Sequence, residues 1–212
     1  MDAEFWHTKW QNNDIGFHQP EGNPLFIKHF NALGVSPGGR IFLPLCGKTR
    51  DIAWLLAQGY SVVGAELSAS AIEQLFSELG IQPSRADFGT VVLYRAPNID
   101  IFVGDIFALT HLMLGKVDAI YDRAALVALP EPKRKFYSSH LIDIAARVPQ
   151  LLICFEYDQT KMPGPPFAIL ESEVNSHYRQ YYGLTLLDKV PVDGGLKGSC
   201  EALEVVWLLK TK

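Results

Sequence analysis

The run Arg40-Ile-Phe-Leu-Pro-Leu-Cys-Gly-Lys-Thr49 constrains the fold of this chain more than any other stretch. Residues 41–45 are apolar, and Cys46-Gly47 breaks them into a turn. A helical pattern over 51–58 follows and stops at Gly59; a second apolar run, 61–65, then ends in Glu66. Strand, turn, helix and strand in so short a span form a βαβ unit, which crosses over right-handed in a parallel sheet. A glycine in the first turn lets backbone approach a ligand. An acid at the tip of the second strand, about 20 residues on, is where a ribose is gripped. The full G-x-G-x-x-G is missing, because Gly47 stands alone among Leu45, Cys46, Lys48 and Thr49. Gly47-Lys48-Thr49 does not complete a P-loop either, since Phe42 occupies the place of its first glycine. A diphosphate site is therefore disfavoured, which leaves a nucleoside-binding turn or an ordinary α/β turn.

At 212 residues the chain reads as a single domain, 1–212, with enough length for a sizeable core. A net charge of −4 argues against nucleic acid or an anionic membrane as main partner. The only tight basic cluster, Lys133-Arg134-Lys135, falls in a helical pattern and reads as a solvated face. No apolar run reaches the roughly 18 residues of a membrane span, and Met1-Asp-Ala-Glu4 opens with acid rather than a basic signal region. A cytoplasmic protein is expected. Cys46, Cys154 and Cys200 are far apart and form no C-x-x-C, which suits a reducing compartment. Cys154 lies in an apolar run and reads as core. Cys46 sits in the key turn, where a nucleophile is conceivable, but no histidine is near it in sequence. The six histidines show no metal spacing, so no metal is expected.

Residues 1–23 are irregular and aromatic-rich, with Trp6 and Trp10 four apart so that a short helix sets them on one face. The segment is either a fixed structural cap or a flap that keeps water from a ligand. Asn23-Pro24 marks an N-cap and first helical residue, and Gly34 a stop. Ser70 to Glu73 fits a capping box, with Ile72, Leu75 and Phe76 buried and Gly80 as the end. Residues 91–94 and 99–103 suggest a hairpin, followed by Asp105 at a strand end. Residues 117–121 form a further parallel strand tipped by Asp122-Arg123; a helix over 132–147 and a strand over 151–155 come next. Residues 158–167 are too proline-rich for regular structure, a helix is expected over 171–182 ending at Gly183, and 184–190 pairs with 202–209 as a closing antiparallel hairpin.

Ligands of an open α/β sheet bind beyond the carboxyl ends of its strands, and Cys46-Gly47, Glu66, Asp105-Ile106 and Asp122-Arg123 all fall there. Glu66 can accept from two ribose hydroxyls, while Asp105 and the backbone after it can read an adenine edge with Ile106 on its face. In its turn, strand-end acid and late hairpin, the chain resembles the class I methyltransferases. More closely it resembles the thiopurine S-methyltransferase family, in particular its bacterial branch. The matching pieces are Phe17-His-Gln19 behind Trp6 and Trp10, Phe42 to Lys48, Val63 to Glu66, Tyr121 to Ala128, and Tyr157 to Phe167. They cover nearly the whole chain in the family's order.

The resemblance implies a Rossmann-like fold: a mostly parallel, seven-stranded-type sheet with an antiparallel carboxyl-terminal edge hairpin and helices on both faces. It implies S-adenosyl-L-methionine as cofactor and S-adenosyl-L-homocysteine as product, with contacts at Trp10, Leu45, Glu66, Asp105, Ile106 and Arg123. It implies a substrate pocket at Phe17, Asp14, Pro165 and Phe167 under the 1–23 lid, and a monomer that takes a small thiol, or a selenium or tellurium species. Vertebrate relatives carry serine where Asp105 stands, so a backbone role there is the firmer one. In-line displacement needs the attacking sulfur about 3–3.5 Å from the methyl carbon. Aromatic thiols ionise readily, so no strong general base is required, and a closed, dry site favours the charge neutralisation of the step. Arg123 is assigned to the thiolate or to the cofactor carboxylate. Two other readings compete: a nicotinamide-dependent reductase, for which Glu66 suits the ribose but the glycines are missing, and a non-catalytic S-adenosylmethionine-binding protein.

Overall fold

A computed structural model describes residues 3–212; the acidic opening at Met1 and Asp2 lies outside the described residues. The described residues build one nine-stranded sheet in the order β3 (Ser84–Asp87), β4 (Val91–Ala96), β5 (Ile99–Gly104), β2 (Ser61–Glu66), β1 (Arg40–Pro44), β6 (Ala119–Arg123), β7 (Gln150–Tyr157), β9 (Ala202–Thr211) and β8 (Tyr182–Pro191). Its centre is the expected βαβ unit: β1 (Arg40–Pro44), α3 (Arg50–Ala57) and β2 (Ser61–Glu66). Strands β1 and β2 run parallel with Arg40 opposite Ser61. The Thr49 hydroxyl caps α3 by accepting from the Asp51 N–H. On the far side of β1, β6 (Ala119–Arg123) and then β7 (Gln150–Tyr157) continue the parallel set, and β5 (Ile99–Gly104) joins β2.

The expected sheet is present, with an extension at one edge. The run β5-β2-β1-β6-β7-β9-β8 supplies the seven strands anticipated, but β3 (Ser84–Asp87) and β4 (Val91–Ala96) extend it antiparallel beyond β5. With β8 (Tyr182–Pro191) and β9 (Ala202–Thr211) antiparallel at the other side, only the five central strands are parallel. Strand β3 is exposed throughout, and Ser84-Arg-Ala-Asp87 has no apolar face to announce it; short polar strands of this kind guard sheet edges.

Helix boundaries also move. Helix α4 (Ala69–Leu79) is capped by Ser68, whose hydroxyl accepts from the Ala71 N–H, two residues before the expected box at Ser70. Helix α7 (Glu171–Tyr178) stops short of Gly183, which lies inside β8. Helix α6 (Glu131–Ile144) ends three residues before 147. Lys133 and Lys135 are exposed as expected, but Arg134 between them is buried. That corrects the reading of the basic cluster as a solvated face.

Period-two alternation explains the two cores. Along β7, Leu152 and Cys154 face one side, packed with Tyr137 and Leu141 of α6 and Val174 and Tyr178 of α7. Leu151 and Ile153 face the other, with Phe26 of α2 (Pro24–His29), Ile52 and Leu55 of α3, and Ile72 of α4. Helices thus cover both faces, and the carboxyl ends of β1, β2, β5 and β6 meet on one rim.

Candidate active site

The turn after β1 is strained by design of its sequence: Leu45 takes φ +47° and Gly47 φ +52°. A left-handed leucine costs of order 1 kcal/mol or more, so the surroundings over-determine it. The Cys46 N–H donates to the Ala65 carbonyl at 3.0 Å, which pulls the turn against the end of β2. Glu66 then closes it. Its Oε2 accepts from the Gly47 N–H at 2.8 Å and its Oε1 from the Ser68 N–H at 2.9 Å. Burial pushes the Glu66 carboxyl up from the usual range, and the backbone N–H groups pull back down. An ionised carboxylate offers about four lone-pair sites, so each oxygen keeps capacity beyond these two bonds. Glu66 also helps burial hold the Cys46 thiol protonated, well above its ordinary range. A thiol in that state is no nucleophile.

Asp105 follows β5, and its carboxylate accepts from the Phe107 N–H at 3.0 Å, capping a short 3₁₀ turn, Ile106–Ala108. Ile106 is buried in this turn, and its carbonyl is held by His140 of α6 at 2.8 Å. Asp122 and Arg123 are neighbours on β6 and therefore point to opposite faces. Asp122 turns into the core, accepting from the Leu126 N–H at 3.1 Å and the Tyr137 hydroxyl at 2.8 Å. Burial pushes its carboxyl up to about 6. An ion pair between the two is thereby ruled out. Arg123 instead sends Nη1 to the Phe17 carbonyl at 2.9 Å, while its buried Nε has no hydrogen-bond partner. The next residue, Ala124, sits at φ +60°, a second strained turn on the same rim.

The amino-terminal segment lies over these groups. Helix α1 (Ala3–Gln11) places Trp6 and Trp10 on one face, and Phe17 packs edge-on to both, at 5.9 Å and 5.6 Å between ring centres. Trp10 is buried, and a Cβ at Gly47 would stand 3.0 Å from its ring. His7 of α1 exerts a small stabilising pull on the Glu66 carboxylate. Asp14 is exposed at the end of the segment, ion-paired with Lys9 and drawn more weakly by Lys197. His18 faces the Lys48 and Glu78 ion pair; its pKa is lowered first by burial and then by Lys48.

The proline loop is fixed by contacts of its own. Tyr157 donates to the Pro166 carbonyl at 2.6 Å, and Gln159 binds the Met162 carbonyl and the Ala168 N–H. The Lys197 ammonium donates to the Pro165 carbonyl at 2.7 Å, so Pro165 and Asp14 share one lysine neighbour. Phe167 is tied by its N–H to the Val127 carbonyl at 2.7 Å, just beyond the Arg123 turn.

All four strand ends named from the sequence are thus on one rim, but their side chains divide. Glu66 and Arg123 turn to the rim and its cover, Asp105 caps its own turn, and Asp122 is interior. Asp51 escaped sequence reading: its buried carboxylate accepts from the Asn23 N–H, the Thr49 hydroxyl and the Tyr121 hydroxyl, bolting the start of α2 to β6. A Thr-x-Asp at a helix start was its one visible signal. One open depression lies beside α5 (His111–Leu114), around Lys116 and Ala146 beyond the amino ends of the strands, and another runs along α1 to Asp14. Among the described residues no cluster of metal-binding side chains occurs.

The sequence matches the family model described as thiopurine S-methyltransferase over residues 1–206. A thiopurine S-methyltransferase of Xanthobacter autotrophicus is 53% identical over 211 residues, spanning 99% of both chains. One of Teredinibacter turnerae is 50% identical over 209 residues, 99% of this chain and 97% of its own. Among solved structures, 1,6-didemethyltoxoflavin-N1-methyltransferase of Burkholderia thailandensis, bound to S-adenosylhomocysteine, superposes with a TM-score of 0.67 at 16% identity, covering 99% of this chain and 87% of that one. Magnesium protoporphyrin IX methyltransferase of Synechocystis, also with bound S-adenosylhomocysteine, gives 0.63 at 13% identity, covering 99% and 100%. These two likenesses carry the fold alone.

Proposed function

The chain belongs to the thiopurine S-methyltransferase family, and from that premise we propose how its rim residues divide the work of methyl transfer. It is an S-adenosyl-L-methionine-dependent enzyme that transfers a methyl group to the sulfur of aromatic or heterocyclic thiols. The observation that carries the assignment of roles is Glu66, held by the Gly47 and Ser68 N–H groups beneath Trp10 with lone pairs to spare.

The residues fit the cofactor on two counts. Glu66 can accept ribose hydroxyls, and the Arg123 Nε is a buried donor with no partner. In this reading Leu45 and Trp10 enclose the nucleoside, and Asp105 with Ile106 flanks the adenine. When bound, S-adenosyl-L-methionine supplies an electrophilic methyl carbon on a sulfonium. The protein holds the thiol sulfur in line with that carbon and excludes water, using Phe17, Asp14, Pro165 and Phe167 as pocket walls. Arg123 offers its guanidinium to the thiolate or to a carboxylate. No side chain need take the thiol proton, since an aromatic thiol ionises readily and gives the proton to solvent before the displacement. Selenium and tellurium nucleophiles are within the same chemistry. The working form proposed is a cytoplasmic monomer acting on small molecules; among the described residues, no helix is long and apolar enough to cross a membrane.

Labelled methyl transfer to a panel of thiols, selenols and metalloid oxyanions tests the substrate class, with the aromatic thiols expected to turn over fastest. A native-state ligand raises the unfolding midpoint by mass action. S-adenosylmethionine and S-adenosylhomocysteine are expected to do so and NAD or NADP not to; the reverse pattern would make the protein a nicotinamide-dependent reductase.

A further inference from the structure

The buried arginine of α6 has no place in the chemistry above, yet it touches the pocket wall at two points. Arg134 is only 6% exposed. Its Nε lies 3.1 Å from Glu173 Oε1 on α7, an ionic contact off the N–H axis rather than an aligned hydrogen bond. Its Nη1 donates to the Ala168 carbonyl at 3.2 Å, and its Cζ stands 5.7 Å from the centre of the Phe167 ring. Glu173 is itself held by His177 one turn on, at 3.1 Å.

These partners lie on separate segments. The Phe167 backbone is tied to Val127, and the Ile169 N–H donates to the Phe155 carbonyl at 2.8 Å, so the chain on either side of Ala168 is anchored. The Phe167 ring is not anchored by its own backbone. It rests against Gly164, where a Cβ would stand 2.6 Å from the ring edge, and the guanidinium lies over it. A planar cation over an aromatic face sets both the distance and the tilt of that face. Burying a charge is costly unless it is paired, and the Glu173 carboxylate pairs this one, with the Ala168 carbonyl accepting from the guanidinium. An apolar side chain would fill the space without setting the ring.

We propose that Arg134 is a positioning residue for the substrate pocket: braced by Glu173, it holds the Phe167 ring and the Ala168 carbonyl so that the wall facing an aromatic thiol has one shape. This rests on the reading that Phe167 lines the thiol pocket. Arg134 touches neither thiol nor cofactor, so its loss acts on substrate affinity through the wall.

The test uses the full-length enzyme with thiophenol as the probe thiol. Arg134→Met keeps the apolar stem and removes the planar charge; it is expected to raise the thiophenol KM five- to tenfold. The kcat and the S-adenosylhomocysteine Kd should stay within twofold. Arg134→Lys restores the ionic contact with Glu173 and is expected to recover the unfolding midpoint but not the KM. Glu173→Gln loosens the brace from its more accessible end and should raise KM about threefold; it decides the question should Arg134→Met fail to fold. A KM within twofold of wild type in a folded variant overturns the proposal, as does an equal loss in KM, kcat and cofactor affinity, which marks general damage. Phe167→Ala separates the premises: if it leaves the thiophenol KM unchanged, the pocket reading falls and this inference with it. If Phe167→Ala raises KM while Arg134→Met does not, the positioning role alone is wrong.

Discussion

Glu66 ends β2 and Arg123 ends β6, the two strands that flank β1, so both stand on the rim that holds the strained turn at Leu45. Each already has a protein partner, and that changes what substitution does. In Glu66→Gln the amide nitrogen meets the N–H of Gly47 or Ser68, a donor against a donor. The expected result is a stability loss of about 1–3 kcal/mol together with a roughly ten- to hundredfold weaker hold on S-adenosylhomocysteine. Urea unfolding and calorimetry on one preparation read both; weaker binding with unchanged stability would show that the carboxylate is not tied to those two N–H groups. Arg123→Ala removes the bond to the Phe17 carbonyl as well as the charge. Because that bond reaches the thiol side of the site, the thiol KM should rise about tenfold, near 1.4 kcal/mol, with cofactor affinity within about threefold. A loss mainly in cofactor binding would assign the guanidinium to the cofactor carboxylate instead. Arg123→Lys keeps charge but not the fork, and should fall between.

At the scale of elements, the central unit was readable because burial on both faces leaves an unbroken apolar strand, and because Gly59 and Gly80 end helices by the same left-handed geometry. The edge was not. Strand β3 is polar from Ser84 to Asp87, and Gly183 reads as a helix stop although pairing with Lys210 places it in β8. The site was legible as positions and not as directions. Strand-end acids can be counted from sequence, whereas Tyr137 beside Asp122, Gly47 beside Glu66 and Phe17 beside Arg123 are brought there from other elements by the fold. The amino-terminal segment is the element whose behaviour follows least from its packing, since α1 is half exposed while Trp10 is sunk against Gly47 and Phe17 is latched to Arg123. Amide exchange over residues 3–20 is expected to slow at least tenfold when S-adenosylhomocysteine and an aromatic thiol are both present. Equal protection with and without them would make the segment a fixed cap.

For the molecule as a whole, the buried carboxylate of Asp122 makes stability depend on pH. It lies between β6 and α6 with no cation against it among the described residues, and its pKa is pushed up to about 6 by burial, against the downward pull of the Leu126 N–H and the Tyr137 hydroxyl. The unfolded chain, with an aspartate near 3.9, gives up this proton first as pH rises. Between about pH 4 and pH 6 the unfolded state therefore binds fewer protons than the native one, and stability falls with pH. Below that window the contribution is fully present; above it the loss is complete, on the order of 3 kcal/mol. Asp122→Asn removes the titration while keeping an acceptor for the Leu126 N–H. Relative to wild type, the variant should gain about 2 kcal/mol between pH 4.5 and pH 7, whatever its absolute stability, because the other titrating groups cancel in the difference. Urea midpoints across that range measure it directly. Parallel pH profiles for the two proteins would mean that Asp122 is ionised in the native state at an ordinary pKa, and that the core beside the active rim is wetter than its packing implies.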